Sequence, residues 1–197
     1  MLNHLQTNKI FKEETKMAIT LEELAKEVQK LKDIEEIKVL KARYSAMCDD
    51  NHNWTLIKEL FAPDAQWVGD PTQPWGGGSN REEIEKLFQF YQTQMDGVPL
   101  KGVLGHNPMA PQITVADDGV HATGKWNMFG AFRMFEGRAK TGSKSFLEQG
   151  KYNDEYVKID ENGNLDPNGK WFISKLSFYD TLCAAPQDGW DDEVIQW

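Results

Sequence analysis

Cysteine is scarce in this chain: Cys48 and Cys183 are the only two in 197 residues. They fall in unrelated segments without Cys-x-x-Cys spacing. That excludes a disulfide framework and a cysteine zinc site, and makes a reducing cytoplasm the expected compartment. Long apolar runs are lacking as well, none approaching the roughly 20 residues that cross a bilayer. Residues 1–16 are polar and carry no apolar h-region, so they do not read as a secretory signal. Met17 opens a second plausible start, and residues 1–18 are expected to form a flexible extension. Basic charge is outweighed, with 22 Lys and Arg against 31 Asp and Glu. Such a surface repels phosphate backbones and anionic lipid, so neither nucleic acid nor membrane is an expected partner. HExxH, GxSxG and GxGxxG are all missing, and Gly76-Gly77-Gly78-Ser79 has no following Lys to make a phosphate loop. Metal, nucleotide and covalent nucleophile therefore have no signal, and the expected cofactor is none.

What the chain does have is apolar and aromatic material for one core, including seven Trp. Its length suits a single domain over 19–183. Thr20-Leu21-Glu22-Glu23 is a capping box, in which a Thr hydroxyl and a Glu carboxylate satisfy each other's free backbone N–H groups. Leu21, Leu24, Val28, Leu31, Ile34, Ile37, Leu40, Tyr44 and Met47 then recur at helical spacing. This helix is expected to break or bend near Lys32-Asp33 and to end at Asp49-Asp50-Asn51-His52-Asn53. Asn53 is the expected N-cap of a short helix, Trp54 to Phe61, stopped by Ala62-Pro63-Asp64. A strand over Ala65 to Val68 and a loop over 70–79 follow. Asn80 caps a third helix, Arg81 to about Met95. Beyond Asp96-Gly97 the pattern turns to strands, over 100–107, 111–117, 120–135, 145–159 and 170–183, with Asp117-Asp118-Gly119 as a hairpin turn. The tail, 184–197, carries Trp190 and Trp197 and is expected to dock on the domain or on a neighbouring subunit. Helices first and strands after give an α+β fold, three to four helices on a curved, mixed or antiparallel sheet, with a pocket between the layers.

Of the four histidines, His4 lies in the extension, His52 in the polar turn, and His121 at an exposed hairpin start. His106 follows a strand-like run and precedes Asn107-Pro108-Met109-Ala110-Pro111, an edge-like stretch because proline donates no ladder hydrogen bond. Aimed inward, it is a candidate general base; hydrogen-bonded elsewhere, it is structural. Asp49 sits at a helix C-terminus, where the macrodipole disfavours negative charge. That placement suits either a functional carboxylate or a solvated turn residue.

Order and spacing then supply a resemblance. Leu31-Lys32-Asp33-Ile34-Glu35-Glu36-Ile37-Lys38 leads to Tyr44, and Asp49 and Trp54 follow. Next come Leu60-Phe61-Ala62-Pro63-Asp64-Ala65 and His106, seven residues before Ile113. Asp118-Gly119 precedes Ala122-Thr123-Gly124-Lys125-Trp126. Gly150-Lys151-Tyr152 and Gly169-Lys170-Trp171-Phe172-Ile173-Ser174-Lys175-Leu176 complete the series. From about Thr20 to Tyr179 the chain resembles the SnoaL-like branch of the nuclear transport factor 2-like superfamily, including its bile acid 7α-dehydratases, scytalone dehydratases and cofactor-independent diarylpropane lyases. The resemblance implies a cone-shaped fold with His106 as base, Asp49 orienting it and Tyr44 as hydrogen-bond donor or acid. It implies a pocket walled by Trp67, Trp126, Met128, Tyr152 and Tyr179. One extra residue sits in the turn before Trp54, so Asp49 and Asp50 both remain candidates for the His106 partner. Gly130 stands where bile acid dehydratases have an Asp and Asp180 where they have an Arg, which argues against bile acids as substrate.

The function this implies is a lyase or dehydratase acting on a hydrophobic, aromatic or polycyclic alcohol, with loss of water or formaldehyde. A non-catalytic binding module of the same fold is the alternative, and a small subunit of a larger oxygenase a third reading. The expected partners are a small hydrophobic substrate and a second or third copy of the chain.

Overall fold

The computed structural model describes residues 19–71, 76–94, 105–134 and 144–184. The expected extension, the tail beyond 184 and most of the strand expected over 100–107 lie outside the described residues. Helix α1, Leu21–Asp49, opens with the expected capping box: Thr20 Oγ1 accepts from the Glu23 N–H at 3.1 Å, and the Glu23 carboxylate accepts from the Thr20 N–H at 2.8 Å. The helix then runs unbroken for 29 residues, which corrects the break expected near Lys32-Asp33. Neither Gly nor Pro interrupts it, and kinks need such a cause. Asp33, moreover, points into the protein. Its Oδ1 accepts from Lys158 Nζ (2.7 Å), Trp171 Nε1 (2.9 Å) and Gln29 Nε2 (3.2 Å).

A 3₁₀ turn, Trp54–Leu56, leads into the single-turn α2, Ile57–Leu60. Asn53 makes no side-chain cap there. Its amide is held instead by Thr55 Oγ1 (2.6 Å) and Asp50 Oδ2 (2.8 Å). The following strand, β1, is longer than expected, Phe61–Val68, and pairs with a two-residue β2, Gly77–Gly78, inside the expected loop. Helix α3, Arg81–Gln94, starts as expected at Asn80, whose Oδ1 accepts the Glu83 N–H at 3.0 Å. Four strands complete the chain: β3 His106–Val115, β4 His121–Met134, β5 Lys144–Ile159 and β6 Lys170–Ala184. Sheet order is β2-β1-β6-β5-β4-β3, with β1 parallel to β6 and every other pair antiparallel. The result is a mixed, curved, unclosed sheet with three helices packed on it.

β3 takes the edge, the one place where Pro108 and Pro111 cost no ladder bond. The two strands expected over 100–107 and 111–117 are joined here: β3 runs through both prolines, with a register shift between Met109 and Gln112 and a left-handed Ala110 (φ 51°). On β4 and β5 the even-numbered residues face the helices, from Ala122 to Phe132 and from Glu148 to Lys158.

Between sheet and α1 the interior is layered along the helix axis. At about 1.5 Å per residue, Asp33, Lys41, Tyr44 and Asp49 mark successive depths. Asp33 with Lys158 and Trp171 forms one end. Next comes a fully buried ion pair, Lys41 Nζ to Asp154 Oδ2 at 2.8 Å. Asp154 also accepts from Tyr156 Oη (2.8 Å), and Tyr156 accepts from Trp126 Nε1 (3.1 Å). Burial pushes the Lys41 ammonium below its ordinary pKa and the Asp154 carboxyl above its own, and their mutual attraction opposes both shifts. No helix among the described residues is long and apolar enough to cross a membrane.

Candidate active site

The site forms where the C-terminus of α1 meets the first residue of β3. Asp49 is the last helical residue, and its Oδ1 takes two hydrogen bonds from His106, one from ring Nδ1 (2.7 Å) and one from the backbone N–H (3.0 Å). An ionised carboxylate only accepts, so Nδ1 is the donor, and the tautomer this selects in a neutral imidazole has its lone pair on Nε2. The backbone bond fixes the carboxylate and the ring bond fixes the imidazole, so tautomer and orientation are set by one oxygen. Two donors on Oδ1 also offset the unfavourable macrodipole at this helix end. The His106 side chain is 14% exposed and that of Asp49 34%. The pair is therefore sheltered and still reachable. Asp50, one residue on, is exposed and accepts from Asn53. The chain thus brings Asp49 to His106 and leaves Asp50 in the turn.

His106 pairs across the ladder with Gly130. A Cβ at Gly130 would lie 2.2 Å from the Phe132 ring. Bare backbone there lets Phe132 fold back along β4 and set its ring 4.9 Å from His106, edge to face. An acid in that place, as in the bile acid dehydratases, has no room beside Phe132.

Tyr44, Trp67 and Tyr152 form the next layer down. Trp67 Nε1 donates to Tyr44 Oη at 3.1 Å, and the Tyr44 ring meets Phe61, Phe88 and Tyr152 edge to face. The Tyr44 hydroxyl also bonds Cys48. Burial holds the phenols of Tyr44 and Tyr152 well above their ordinary range and pushes the Cys48 thiol up to about 12. Lys41 Nζ lies 3.3 Å from the Tyr152 ring centroid, a cation–π contact that fixes this ring from below. Met128 is buried on the same face, and Trp126 lies deeper, with Tyr156. Among the contacts of the described residues Tyr44 has none with His106.

Tyr179 corrects the expected pocket wall. It is 42% exposed, on the outer face opposite Lys151, and Phe178 takes the inward place, 4.7 Å from Tyr152. Ser174 is the cause. Trp171 and Ile173 face inward, an extra residue intervenes between the pairs Tyr156–Ile173 and Glu155–Lys175, and Leu176 and Phe178 face inward from there. One bulge residue inverts the side chains beyond it, as far as the next register shift at Thr181.

Sequence reasoning missed His52. Within the polar turn where it is expected, it is buried, 8% accessible, with its ring 5.8 Å from Phe88, 5.3 Å from Tyr91 and 6.1 Å from His106. Asn51 and His52 are both left-handed, at φ 55° and 52°. The Asn53 N–H reaches back to Met47 O across six residues, one more than an ordinary Schellman closure spans. The extra turn residue visible in the sequence is the signal for this rotation. Among the described residues, no group of three or more His, Cys, Asp or Glu side chains is arranged to hold a metal ion.

A family model described as a SnoaL-like domain matches residues 29–177. The chain belongs to that family. Solved structures share the fold at low identity. A Novosphingobium aromaticivorans protein assigned to the scytalone dehydratases is 18% identical over 80% of this chain and 89% of its own, with a TM-score of 0.61. The type 3 hexachlorocyclohexane dehydrochlorinase LinA from Novosphingobium barchaimii is 15% identical over 81% and 93%, with a TM-score of 0.61. An NTF2-like protein with a cystatin-like fold, also from N. aromaticivorans, is 18% identical over 81% and 88%, with a TM-score of 0.56. Identities this low carry the architecture and leave the reaction to the site.

Proposed function

We propose that this SnoaL-like chain is a cofactor-independent lyase whose base is His106, oriented by Asp49, and whose substrate is a hydrophobic aromatic or polycyclic alcohol. The observation that carries the reading is the 2.7 Å hydrogen bond that His106 Nδ1 donates to Asp49 Oδ1, which turns Nε2 of the neutral ring into the accepting nitrogen in a sheltered aromatic setting. A base held this way needs no metal when the proton it takes is already acidified by a neighbouring carbonyl or hydroxyaryl group. The fold neighbours named as a dehydratase and a dehydrochlorinase agree with elimination chemistry.

Two routes fit. In dehydration, a carbon-bound proton passes to Nε2, its electron pair becomes the new double bond, and the neighbouring hydroxyl breaks away and takes up a proton to become water. In formaldehyde loss, the proton comes from a terminal CH₂OH, the C–C bond breaks, and the released pair expels the hydroxyl on the next carbon. Trp67, Met128 and Tyr152, buried beside Tyr44, are the side chains expected to meet the substrate.

The test is a screen of aromatic alcohols and lignin-type dimers, scored for alkene and for formaldehyde, with His106→Ala as control. Turnover by the native protein that His106→Ala loses supports the reading. Binding without turnover, equal in both proteins, overturns it in favour of a binding module. We also expect a homodimer or homotrimer: Phe129, Tyr179 and Leu182 are part-exposed on the outer sheet face. Analytical ultracentrifugation reads the assembly directly.

A further inference from the structure

The elimination just proposed leaves one proton unaccounted for. His106 takes a proton from carbon or hydroxyl, but the departing oxygen also needs one, since hydroxide is a poor leaving group from an unactivated alcohol. Tyr44 is badly placed to give it. Its phenol is held well above the ordinary range by burial, and its hydroxyl is engaged with Trp67 and Cys48, a layer below the pair.

The geometry points to His52. We propose that His52 is the general acid of this site, giving its proton to the leaving oxygen while His106 accepts the proton that starts the reaction. This rests on the lyase reading above and adds the second half of its proton transfer. Three observations carry it. His52 is buried in a turn otherwise built of polar residues, so its ring has been turned inward. Holding it there takes two consecutive left-handed residues, Asn51 and His52; such conformations are unfavourable away from glycine and persist where the surroundings over-determine them. Phe88 and Tyr91 of α3 clasp the ring on its far side, which leaves it edge to face with His106, centroids 6.1 Å apart and planes at 86°. Two imidazoles in this edge-to-face pairing present neighbouring ring edges, so a substrate seated over both edges would offer its carbon to one ring and the adjacent oxygen to the other. The cycle also closes: after turnover His106 holds the proton and His52 lacks one, and the released water relays it from ring to ring.

An acid acting on the leaving group matters in proportion to the basicity of that group, whereas a merely structural histidine slows every substrate alike. The experiment uses the full-length protein and a series of benzisoxazoles, which open on loss of one carbon-bound proton and release a phenolate. Ring substituents, from nitro to none, grade that phenolate from weakly to strongly basic. Native protein is expected to show a shallow dependence of kcat/KM on leaving-group basicity. His52→Gln is expected to lose about threefold or less on the nitro compound and about 10²-fold on the unsubstituted one. His52→Asn, which tolerates the left-handed backbone, repeats the measurement should the Gln variant not fold. Equal loss across the series, or no loss, overturns the proposal, and so does a native slope as steep as in free solution. Failure of the base is told apart by His106→Ala. Undiminished turnover by that variant overturns the lyase reading, whereas lost turnover with a flat His52 response leaves the base standing and removes only the acid.

Discussion

Replacing Asp49 by Asn separates what its carboxylate does for folding from what it does for chemistry. Oδ1 accepts two hydrogen bonds, at 2.7 and 3.0 Å, from the ring and backbone of His106, and the Asp49 side chain is itself one-third exposed. A buried charge-assisted bond contributes about 1.5–3 kcal/mol, and solvent screening at this exposure reduces that to about 1 kcal/mol. For a chain of this size the loss is a fall of about 2–4 °C in Tm. The chemical effect is much larger. Asn keeps the shape and offers an NH₂ as readily as an oxygen. The imidazole is then free to protonate Nε2 instead of Nδ1, and a base protonated at the reacting nitrogen cannot accept. Turnover is expected to fall roughly 10²–10⁴-fold, the scale seen when a histidine loses its orienting carboxylate. Asp50→Asn, next along the chain, should change kcat/KM by less than about threefold. Initial rates on a nitrobenzisoxazole and urea melts of the three proteins give both numbers. An Asp49→Asn protein within a few-fold of native activity, or an Asp50→Asn protein equally impaired, would refute the assignment of Asp49 as orienter.

Lys41→Met strands the Asp154 carboxylate in the interior and should cost about 3–5 kcal/mol, read as a Tm fall of about 6–20 °C. Adding Asp154→Asn should recover most of it, and a double mutant no better than the single would show that the pair is not coupled. Because burial raises the Asp154 pKa, the folded state of Lys41→Met binds a proton that the unfolded state releases. Its deficit should therefore shrink as pH falls toward 4 and grow as pH rises above it. In native protein at pH 8 a thiol reagent should find Cys183, exposed with its pKa pushed up to about 11, slowly; Cys48, buried at about 12, should react only on unfolding. Two thiols reacting in native buffer would contradict the packing around Tyr44. Gly130→Asp must displace the Phe132 ring and is expected to cost about 1–3 kcal/mol together with activity, measured by melt and rate; a variant as stable as native would mean that the ring moves freely.

The local signals read correctly were those in which one residue type performs one backbone task. Thr20 with Glu23, Asn80 and Asp118-Gly119 each satisfy or turn a particular stretch of main chain, and each does so in the structure. Errors arose where distant residues decide. Lys32-Asp33 looks like a polar interruption in isolation, yet Asp33 is called inward by Lys158 and Trp171, more than a hundred residues away. Period-two counting from Trp171 aims Tyr179 inward, and the bulge at Ser174, set by pairing with β5, reverses it. Neither partner is visible from the segment itself.

At the candidate site the legible part was chemical type, and the illegible part was the direction of a turn. Histidine after a strand, an acid at an unfavourable helix end and a tyrosine five residues earlier marked the right end of α1. The extra residue between Asp49 and Trp54 was also visible, but only as an ambiguity between two acids. Its physical consequence is different. Asp49 stays in register with the helix and meets His106, and the surplus is absorbed by Asn51 and His52 in left-handed backbone, which rotates the second histidine from the surface into the aromatic clasp of α3. One inserted residue thus settles which carboxylate lies against the imidazole and places a second imidazole opposite it. If Asn51 were deleted, the turn could close as an ordinary helix C-cap, and His52 would return to solvent. The Asp49–His106 bond should survive that deletion while the dependence on leaving-group basicity steepens, a separation that point substitutions at His52 alone cannot give.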